Sequence, residues 1–270
     1  MILGIISDIH EDVVSLKKAL KILEKNKCDH IICLGDITGF SVPYYAHLDT
    51  RDANECIKLV RENCHTVLVS NHDLHAIKKT PEFKAGIEYS DDFYNLGAYE
   101  RKQIVKNSIW HYEKNTLDPL LSAENIDYLN SLPEFSVFNS GDNTILFSHF
   151  LFPDLSGSVA RKAFQNEDMD HHLDFIQKKS CNIGICGHTH IEGVLIYSKG
   201  FTYRKFGKTV RDVEAKCIIC PCIAQGINEN GFIIYNTSTA EIRIISLHSG
   251  KFRMNYRRVS KDSKFLFDRT

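Results

Sequence analysis

Short apolar runs alternate with amphipathic segments through the first 70 residues of the chain. The apolar runs predict buried strands, and the segments between them carry apolar residues at helical spacing. Asp12 and Asp52 are predicted to cap the two helices. This β-α-β-α-β order predicts a parallel sheet with right-handed crossovers. The predicted strands are 2–7, 30–34 and 66–69, and the predicted helices are 13–26 and 52–63.

The next stretch, 74–132, is polar and has no comparable strand pattern. Its apolar spacing predicts helices at 95–112 and 122–132, and Pro133 limits the second one because a residue before proline disfavours the helical region. We find no linker-like composition and therefore expect a single domain over 1–270. Within it, 74–132 is expected to form a helical insertion, or lid, over the sheet.

The second half of the chain is rich in short apolar runs. Two of them, 144–147 and 182–186, flank a predicted helix at 167–178. Beyond residue 192 the runs follow one another with turn signals between them, which predicts a second, largely antiparallel sheet. These later strands are predicted at 193–197, 217–220, 231–235, 241–247 and 252–259.

Composition narrows the class of protein. The chain has 270 residues, of which 43% are hydrophobic and 25% charged, as in ordinary globular proteins. A net charge of −1 argues against general nucleic-acid binding, and no apolar run reaches the roughly 18 residues of a membrane span. We see no signal peptide. Nine cysteines are scattered along the chain, and most of them fall inside apolar runs, where they are interpreted as small buried side chains. A cytoplasmic location is therefore expected, and the oligomeric state is left open.

Side chains that can ligate metals follow five of the predicted strands. The carboxyl ends of parallel strands meet at one edge of a sheet, so these side chains are expected to converge. Imidazole, carboxylate and amide groups suit divalent first-row metals. The set is too large for one catalytic ion, but it suits two ions that share a carboxylate. Its members are Asp8, His10, Asp36, Asn71, His72, His149, His188 and His190.

These residues form motifs that resemble the calcineurin-like metallophosphoesterase superfamily. The motifs are Asp-x-His at 8–10, Gly-Asp at 35–36, Asn-His-Asp at 71–73, the lone His149 and Gly-His-x-His at 187–190. Their order and strand context extend over most of the chain. Segments 35–40 and 130–133 and the final strands are also similar to the small bacterial and archaeal phosphodiesterase branch.

The resemblance implies an α/β fold: a four-layer α-β-β-α sandwich of two mixed sheets. It also implies two divalent ions, with manganese favoured and iron, zinc, nickel or cobalt as alternatives. One ion would be held by Asp8, His10 and His190. The other would be held by Asn71, His149 and His188. Asp36 would bridge the two.

This resemblance implies hydrolysis of a small soluble phosphoester by a phosphodiesterase or phosphatase. Two ions about 3.5–4 Å apart can bind a bridging hydroxide and neutralise phosphate oxygens during an in-line displacement. His72 is expected to protonate the leaving group as general acid, and Asp73 is expected to orient His72.

The chain departs from the family pattern at three places. Ser70 stands where the family usually has glycine, and it would be strained if that position needs a positive φ. No arginine follows Asp36 in the manner of the phosphoprotein phosphatases, which argues against a dedicated protein phosphatase. Segment 220–226, Cys-Pro-Cys-Ile-Ala-Gln-Gly, replaces a common Asn-Pro-Gly-Ser-x-Gly-Gln motif.

Other interpretations remain open. The protein could be a dinucleoside polyphosphate hydrolase, with a longer anionic groove, or a non-catalytic interaction module on the same fold. A nuclease would require a basic groove lined with aromatic side chains that stack on bases, and the balanced charge of the chain gives no sign of one. For three cysteines, packing in a strand is favoured over a zinc site: Cys217, Cys220 and Cys222. A basic cluster near the C-terminus is expected to form a solvated strand edge: Arg253, Arg257, Arg258 and Lys261. The lid core is expected to contain Trp110 and Tyr112.

Overall fold

The first third of the chain forms the predicted β-α-β-α-β series. The computed structural model describes residues 1–106, 108–110, 112–141, 143–160 and 166–252. Asp12 Oδ1 accepts a hydrogen bond from the Ser15 amide, and Asp52 Oδ1 accepts one from the Glu55 amide, so both predicted N-caps are confirmed. The elements are β1 (Ile2–Ile6), α1 (Val13–Lys25), β2 (His30–Cys33), β3 (Phe40–Ser41), α2 (Ala53–Asn63) and β4 (Thr66–Val67).

The following stretch holds shorter elements than the sequence predicts. Instead of one helix at 95–112, the structure has a short helix, Ala98–Ile104, and a separate 3₁₀ turn at Tyr112–Lys114. A six-residue helix, α3, also begins directly at Asn71, and it is too short to give a periodic signal. The elements here are α3 (Asn71–Ala76), α4 (Ala98–Ile104), β5 (Thr116–Leu117) and α5 (Ala123–Ser131).

The last part of the chain supplies most of the strands. Three of them were not predicted, because they are partly exposed and lack a continuous apolar run. These three are Phe135–Asn139, Phe201–Arg204 and Thr209–Arg211. Of the predicted strand 252–259 only Phe252 belongs to the described residues, and the predicted basic cluster lies outside them. The elements are β6 (Phe135–Asn139), β7 (Thr144–Ser148), α6 (Asn166–Lys178), β8 (Ile183–Cys186), β9 (Val194–Tyr197), β10 (Phe201–Arg204), β11 (Thr209–Arg211), β12 (Cys217–Ile219), β13 (Gly231–Asn236) and β14 (Glu241–Ser246).

Two six-stranded sheets contain nearly all of these strands. The first has the order β11-β14-β13-β1-β2-β4, and the second has the order β10-β9-β12-β8-β7-β6. Both sheets are mixed: β1, β2 and β4 run parallel, as do β7, β8 and β12, while the flanking strands are antiparallel. The prediction that the strands after residue 192 form a sheet of their own was wrong. These strands are divided between the two sheets: β11, β13 and β14 belong to the first sheet, and β9, β10 and β12 belong to the second.

The core lies between the two sheets and under the helices. Ile5 and Ile32 of the first sheet share one buried cluster with Phe147 and Ile185 of the second. Leu16 of α1 and Ile57 of α2 pack against the outer face of the first sheet, and Ile176 of α6 packs against Leu146 of the second. Each such buried side chain contributes about 1.5–3 kcal/mol. The layer order is therefore α-β-β-α, and the predicted fold class is confirmed.

Two further expectations concern cysteines and membranes. All nine cysteines are free thiols, and six of them are buried, which confirms that most of them are small buried side chains. Among the residues that the structure describes, no helix combines the length and the apolar character that crossing a bilayer requires. The cytoplasmic location stays a prediction.

Candidate metal centre

The predicted ligands follow the carboxyl ends of the parallel strands in both sheets. Asp8 and His10 come after β1, Asp36 after β2, and Asn71 begins α3 just beyond β4. The second sheet contributes three histidines from the ends of its own parallel strands. Because the two sheets stack, their strand ends open onto the same edge of the sandwich. These three histidines are His149 after β7 and His188 and His190 after β8.

One group of side chains joins the first strand of the chain to the far end of β8. Nε2 of His190 lies 3.0 Å from Oδ1 of Asp8 and 3.2 Å from Nε2 of His10. The three donor atoms lie close enough together to hold one metal ion. This is the first of the two ligand sets that the sequence predicts.

A second group lies beside the first. Nε2 of His149 is 3.2 Å from Nδ1 of His188 and 3.3 Å from Oδ2 of Asp36. Asn71 points its amide nitrogen at the Tyr112 hydroxyl, 2.8 Å away, while its Oδ1 is buried and has no hydrogen-bond partner among the described residues. An orphaned buried carbonyl oxygen is costly unless something binds it, and a cation would. The residues present therefore fit the second predicted metal.

Asp36 lies between the two groups. Its Oδ2 is 3.6 Å from Nε2 of His10 and 3.3 Å from Nε2 of His149. Asp8 also approaches both sets, with Oδ1 3.0 Å from Nε2 of His190 and 3.7 Å from Nε2 of His149. Among the described residues, however, Asp36 is the carboxylate that shares a candidate metal-binding group with His10 and another with His149. Asp36 thus has the placement expected of a shared ligand.

Backbone carbonyls fix the orientation of two of the imidazoles. Nδ1 of His10 lies 2.9 Å from the Gly39 carbonyl, and Nδ1 of His149 lies 3.0 Å from the Leu34 carbonyl. A carbonyl only accepts, so Nδ1 carries a proton in both rings, and Nε2 is the nitrogen that faces the centre and can offer a lone pair to a metal ion. Such a hydrogen bond behind a ligating nitrogen is the usual companion of a metal-bound histidine.

The charges of the site favour positive charge at its centre. Burial acts to raise the pKa of Asp8 and of Asp36, but neighbouring histidines outweigh it and hold both pKa values below the ordinary range. Burial lowers the pKa of His149, and the carboxylates of Asp36 and Asp8 raise it to a net value of about 9. The carboxylates thus draw a proton onto His149, which a divalent cation would displace on binding, whereas burial lowers the pKa of His10 and of His188.

Backbone strain is concentrated at this centre. Five of the seven predicted ligands have positive φ angles, between +45° and +67°, a region that non-glycine residues seldom occupy. Each such residue costs about 1–3 kcal/mol, and this cost persists only where the surroundings hold the residue in place. The five are Asp8, His10, Asp36, His188 and His190.

His72 lies beside both groups. Its ring contacts His10 and Tyr112 edge-on at centroid distances of 4.8 Å each, and its side chain lines the adjoining cavity. Nδ1 of His72 is buried, and no described residue forms a hydrogen bond with it. Gly39 makes room for it: a Cβ atom there would lie 2.2 Å from Nδ1, and φ is +94°. The predicted general acid is therefore in reach of the centre, although its ring also comes close enough to His10 and Asp36 to be a ligand.

Asp73 does not contact His72 among the described hydrogen bonds. Its carboxylate accepts hydrogen bonds from the amide and hydroxyl of Thr38, at 2.9 and 3.0 Å, and from the Ser70 hydroxyl at 2.9 Å. Burial and the charge of Asp36 raise the pKa of Asp73 to about 6. Asp73 thus holds the loop after Asp36. The sequence had suggested that Asp73 orients His72, and no hydrogen bond between the two is present among the described residues.

Ser70 is unstrained. Its φ is −135°, so the extended backbone here has no need of glycine. Its hydroxyl accepts a hydrogen bond from the Asp36 amide and contacts Oδ1 of the same residue. The serine at this position therefore adds a contact to the predicted bridging carboxylate, and no local pattern predicted that contact.

The cavity above the centre has a volume of about 410 Å³. Trp110 lines it with 40% of its surface exposed, so its assignment to a lid core was wrong. Tyr112 lines it as well and holds Asn71. Cys217 and Cys220 are buried in packing, as predicted, whereas Cys222 lies in a loop, lines the cavity and contacts His190. No cysteine belongs to a metal-binding group among the described residues.

The fold and this centre place the chain in a known class. The profile of the calcineurin-like phosphoesterase superfamily domain matches residues 1–197, and the chain belongs to that superfamily. It is accordingly a metal-dependent phosphoester hydrolase.

Particular relatives come from archaea and bacteria. The chain is 26% identical over 258 residues to the uncharacterized protein MJ0912 of Methanocaldococcus jannaschii, covering 90% of this chain and 86% of that one. A metallophosphoesterase structure from Sphaerobacter thermophilus aligns with a TM-score of 0.61 at 19% identity, covering 92% and 88% of the two chains. The hypothetical protein PH1004 of Pyrococcus horikoshii aligns with a TM-score of 0.55 at 13% identity, covering 99% and 93%. Both structures resemble this protein in fold.

Proposed function

We propose that this protein is a two-metal phosphoesterase that hydrolyses a small phosphoester. The observation that supports the proposal is the position of Asp36, which lies 3.6 Å from His10 and 3.3 Å from His149, between two sets of donors. Under the proposal, one ion is held by Asp8, His10 and His190, the other by Asn71, His149 and His188, and Asp36 is shared. Manganese is the favoured metal, with iron, zinc, nickel or cobalt as alternatives, because the donors are nitrogen and oxygen.

The reaction needs a nucleophile, charge neutralisation and a proton for the leaving group. Two divalent ions, when bound, supply positive charge next to the phosphate and lower the pKa of water. The oxygen of water joins phosphorus, the bond from phosphorus to the alcohol oxygen breaks, and that oxygen takes up a proton. The ligands contribute by holding a fixed geometry, since backbone carbonyls restrain His10 and His149.

We assign the proton of the leaving group to Nε2 of His72. Nδ1 of that ring is buried against Gly39, so Nε2 is the nitrogen left for the cavity that the side chain lines. The ring also lies 4.8 Å from the ring of His10, which brings the donor beside the proposed metals. A positioned acid of this kind typically contributes about 10²–10⁴-fold to the rate.

The test combines metal content with turnover. Protein stripped with a chelator and reloaded with Mn²⁺ is expected to hold two ions per chain by mass spectrometry and to hydrolyse bis-p-nitrophenyl phosphate or p-nitrophenyl phosphate. Asp36→Asn should lose both properties, while Asp91→Asn, an exposed carboxylate, serves as the matched control. Absence of metal-dependent turnover of either ester and of a nucleotide panel would contradict the proposal and favour a non-catalytic interaction module.

A further inference from the structure

The cavity over the metal centre has a floor and walls of different chemistry. Its floor is formed by the proposed ligands and His72. Its walls carry aromatic rings and uncharged polar groups, and they surround a volume of about 410 Å³, enough for one small organic molecule. The wall residues that matter here are Tyr44, Trp110, Asn115 and Ile227.

Two hydrogen bonds hold Trp110 at the cavity, and part of its side chain stays exposed to solvent. Its Nε1 donates a hydrogen bond to the Gly157 carbonyl at 3.1 Å, and its amide donates one to the Ser158 carbonyl at 3.3 Å. The ring lies 6.5 Å from that of His188, a proposed ligand, yet 40% of its surface is exposed. A large apolar side chain that is fixed but uncovered at a cavity is a typical recognition surface.

Tyr44 and Ile227 extend this surface along the cavity. The Ile227 amide donates a hydrogen bond to the Tyr44 carbonyl at 3.0 Å, which ties the two loops together. Their side chains are 47% and 40% exposed, and both line the cavity. Asn115 adds an amide that makes no side-chain hydrogen bond in the described part of the chain. The cavity therefore offers an apolar, partly aromatic face with a polar group beside it.

Lysine and arginine side chains are absent from the described part of the cavity lining. Arg51, in the neighbouring loop, is engaged with the buried Glu11 carboxylate and the Phe40 ring. A polyphosphate chain extends several charges beyond the reacting phosphate, and proteins usually meet such charges with arginine or lysine. In the described part of the lining, charge compensation is thus offered at the metal centre alone.

We infer that the substrate carries a single phosphate and a planar, uncharged ring, as an ester of a nucleoside monophosphate does. The phosphate binds at the donor cluster, and the ring stacks on Trp110 next to Tyr44, where Asn115 can hydrogen-bond to its edge. This inference rests on the proposed phosphoesterase function and names its substrate class. It disfavours dinucleoside polyphosphates.

Trp110 is the only tryptophan of the chain, so its fluorescence reports stacking without any turnover. Adenosine 5′-monophosphate and ribose 5-phosphate are titrated into the manganese-loaded protein. The nucleotide is expected to quench the fluorescence saturably and to bind about tenfold more tightly than the ribose phosphate, as stacking of one base on an aromatic side chain allows. Equal binding of the two probes would overturn the inference.

Kinetics with matched esters tests the same point in the reaction. Adenosine 5′-(methyl phosphate) and ribose 5-(methyl phosphate) present the same phosphodiester with and without the ring. The adenosine ester is expected to have a kcat/KM about tenfold higher. Trp110→Ala should abolish this preference, and Trp110→Phe should keep most of it. Tyr99→Ala, a 75% exposed tyrosine outside the cavity lining, is the control and should change nothing.

The outcomes separate this inference from the proposed function. Metal-dependent hydrolysis of both esters at equal kcat/KM, or a kcat/KM for diadenosine tetraphosphate about tenfold above that of the adenosine ester, overturns the substrate class and leaves the phosphoesterase proposal standing. Absence of hydrolysis of every ester, bis-p-nitrophenyl phosphate included, overturns the phosphoesterase proposal itself.

Discussion

The hydroxyl of Ser70 contacts the carboxylate of Asp36 and accepts a hydrogen bond from the amide of the same residue. It also lies 2.9 Å from Oδ2 of Asp73, so one small side chain links two buried carboxylates. Glycine at this position could form neither contact. The orientation of the proposed bridging ligand therefore depends on the Ser70 hydroxyl.

Ser70→Gly tests that dependence. The extended backbone at Ser70 suits any residue, so the variant should fold, and the loss falls on the orientation of Asp36. Loss of a residue that orients a metal ligand typically costs about 10–100-fold in metal affinity or activity. Manganese affinity is measured by competition with a chelating dye. Ser131→Ala, an exposed hydroxyl on α5, is the control, and a Ser70→Gly protein with unchanged affinity would rule out this role.

Tyr112→Phe tests how Asn71 is held. The Tyr112 hydroxyl accepts a hydrogen bond from Nδ2 of Asn71 at 2.8 Å, which leaves Oδ1 for the proposed second ion. Without that hydroxyl the amide can rotate, and we expect the second ion to bind about tenfold more weakly while the first is retained. Isothermal titration with Mn²⁺ resolves the two sites. Tyr99→Phe is the matched control, and weakening of both sites alike would argue against a specific effect on Asn71.

His72→Ala separates a proton donor from a ligand. If His72 is the general acid, both ions remain bound and kcat falls about 10²–10⁴-fold for esters with poor leaving groups. Esters with a p-nitrophenolate leaving group should suffer much less, because that group departs without a proton. Metal content and both rates are measured on one preparation. Loss of an ion on substitution would make His72 a ligand instead.

Gly39→Ala probes the space beside His72. An added Cβ would lie 2.2 Å from Nδ1 of His72, and φ is +94°. Gly207→Ala, at φ +75° with nothing within 4 Å, carries the same kind of backbone cost without the clash. Both variants should lose about 1 kcal/mol of unfolding free energy in urea from the backbone alone, and Gly39→Ala should lose more together with most of its activity. Equal losses in the two would show that the ring of His72 moves freely away.

His75 gives a pH dependence of stability. Burial, with a smaller effect from the charge of Lys78, lowers the pKa of His75 to about 3 from the ordinary 6.5. Between those values the unfolded chain binds the proton and the folded chain does not. The free energy of unfolding therefore decreases as pH falls from 6.5 toward 3. In metal-free protein, His75→Phe should flatten the rise of unfolding free energy from pH 4 to 6.5 by up to about 1.4 kcal/mol per pH unit. An unchanged slope would contradict a buried neutral imidazole.

Local sequence patterns determined much of the fold's first third. The strand and helix positions, the caps at Asp12 and Asp52 and the polar strand ends all follow from period, composition and short-range hydrogen bonding. The donor residues were also identifiable, since their types and order carry the chemistry, and the parallel strands predicted where they would meet. Their individual roles as ligands and acid stay predictions.

These local patterns could not predict which strands pair when the strands are far apart in the sequence. The strands after residue 192 have similar apolar runs, yet β13 and β14 join the first sheet while β9 and β12 join the second. A strand's own sequence states which face is buried but not which neighbour it pairs with. The exposed β10 and β11 were missed because their positions depend on those pairings.

The sequence by itself determined which chemical groups this protein can bring to a phosphoester, because residue identity alone sets ligand and acid-base chemistry. Only the tertiary structure decided how they are held: Ser70 against Asp36, Tyr112 against Asn71, and Trp110 open at the cavity. These contacts join residues far apart in the chain or in loops without periodicity, so they arise when the two sheets stack and leave no local signal.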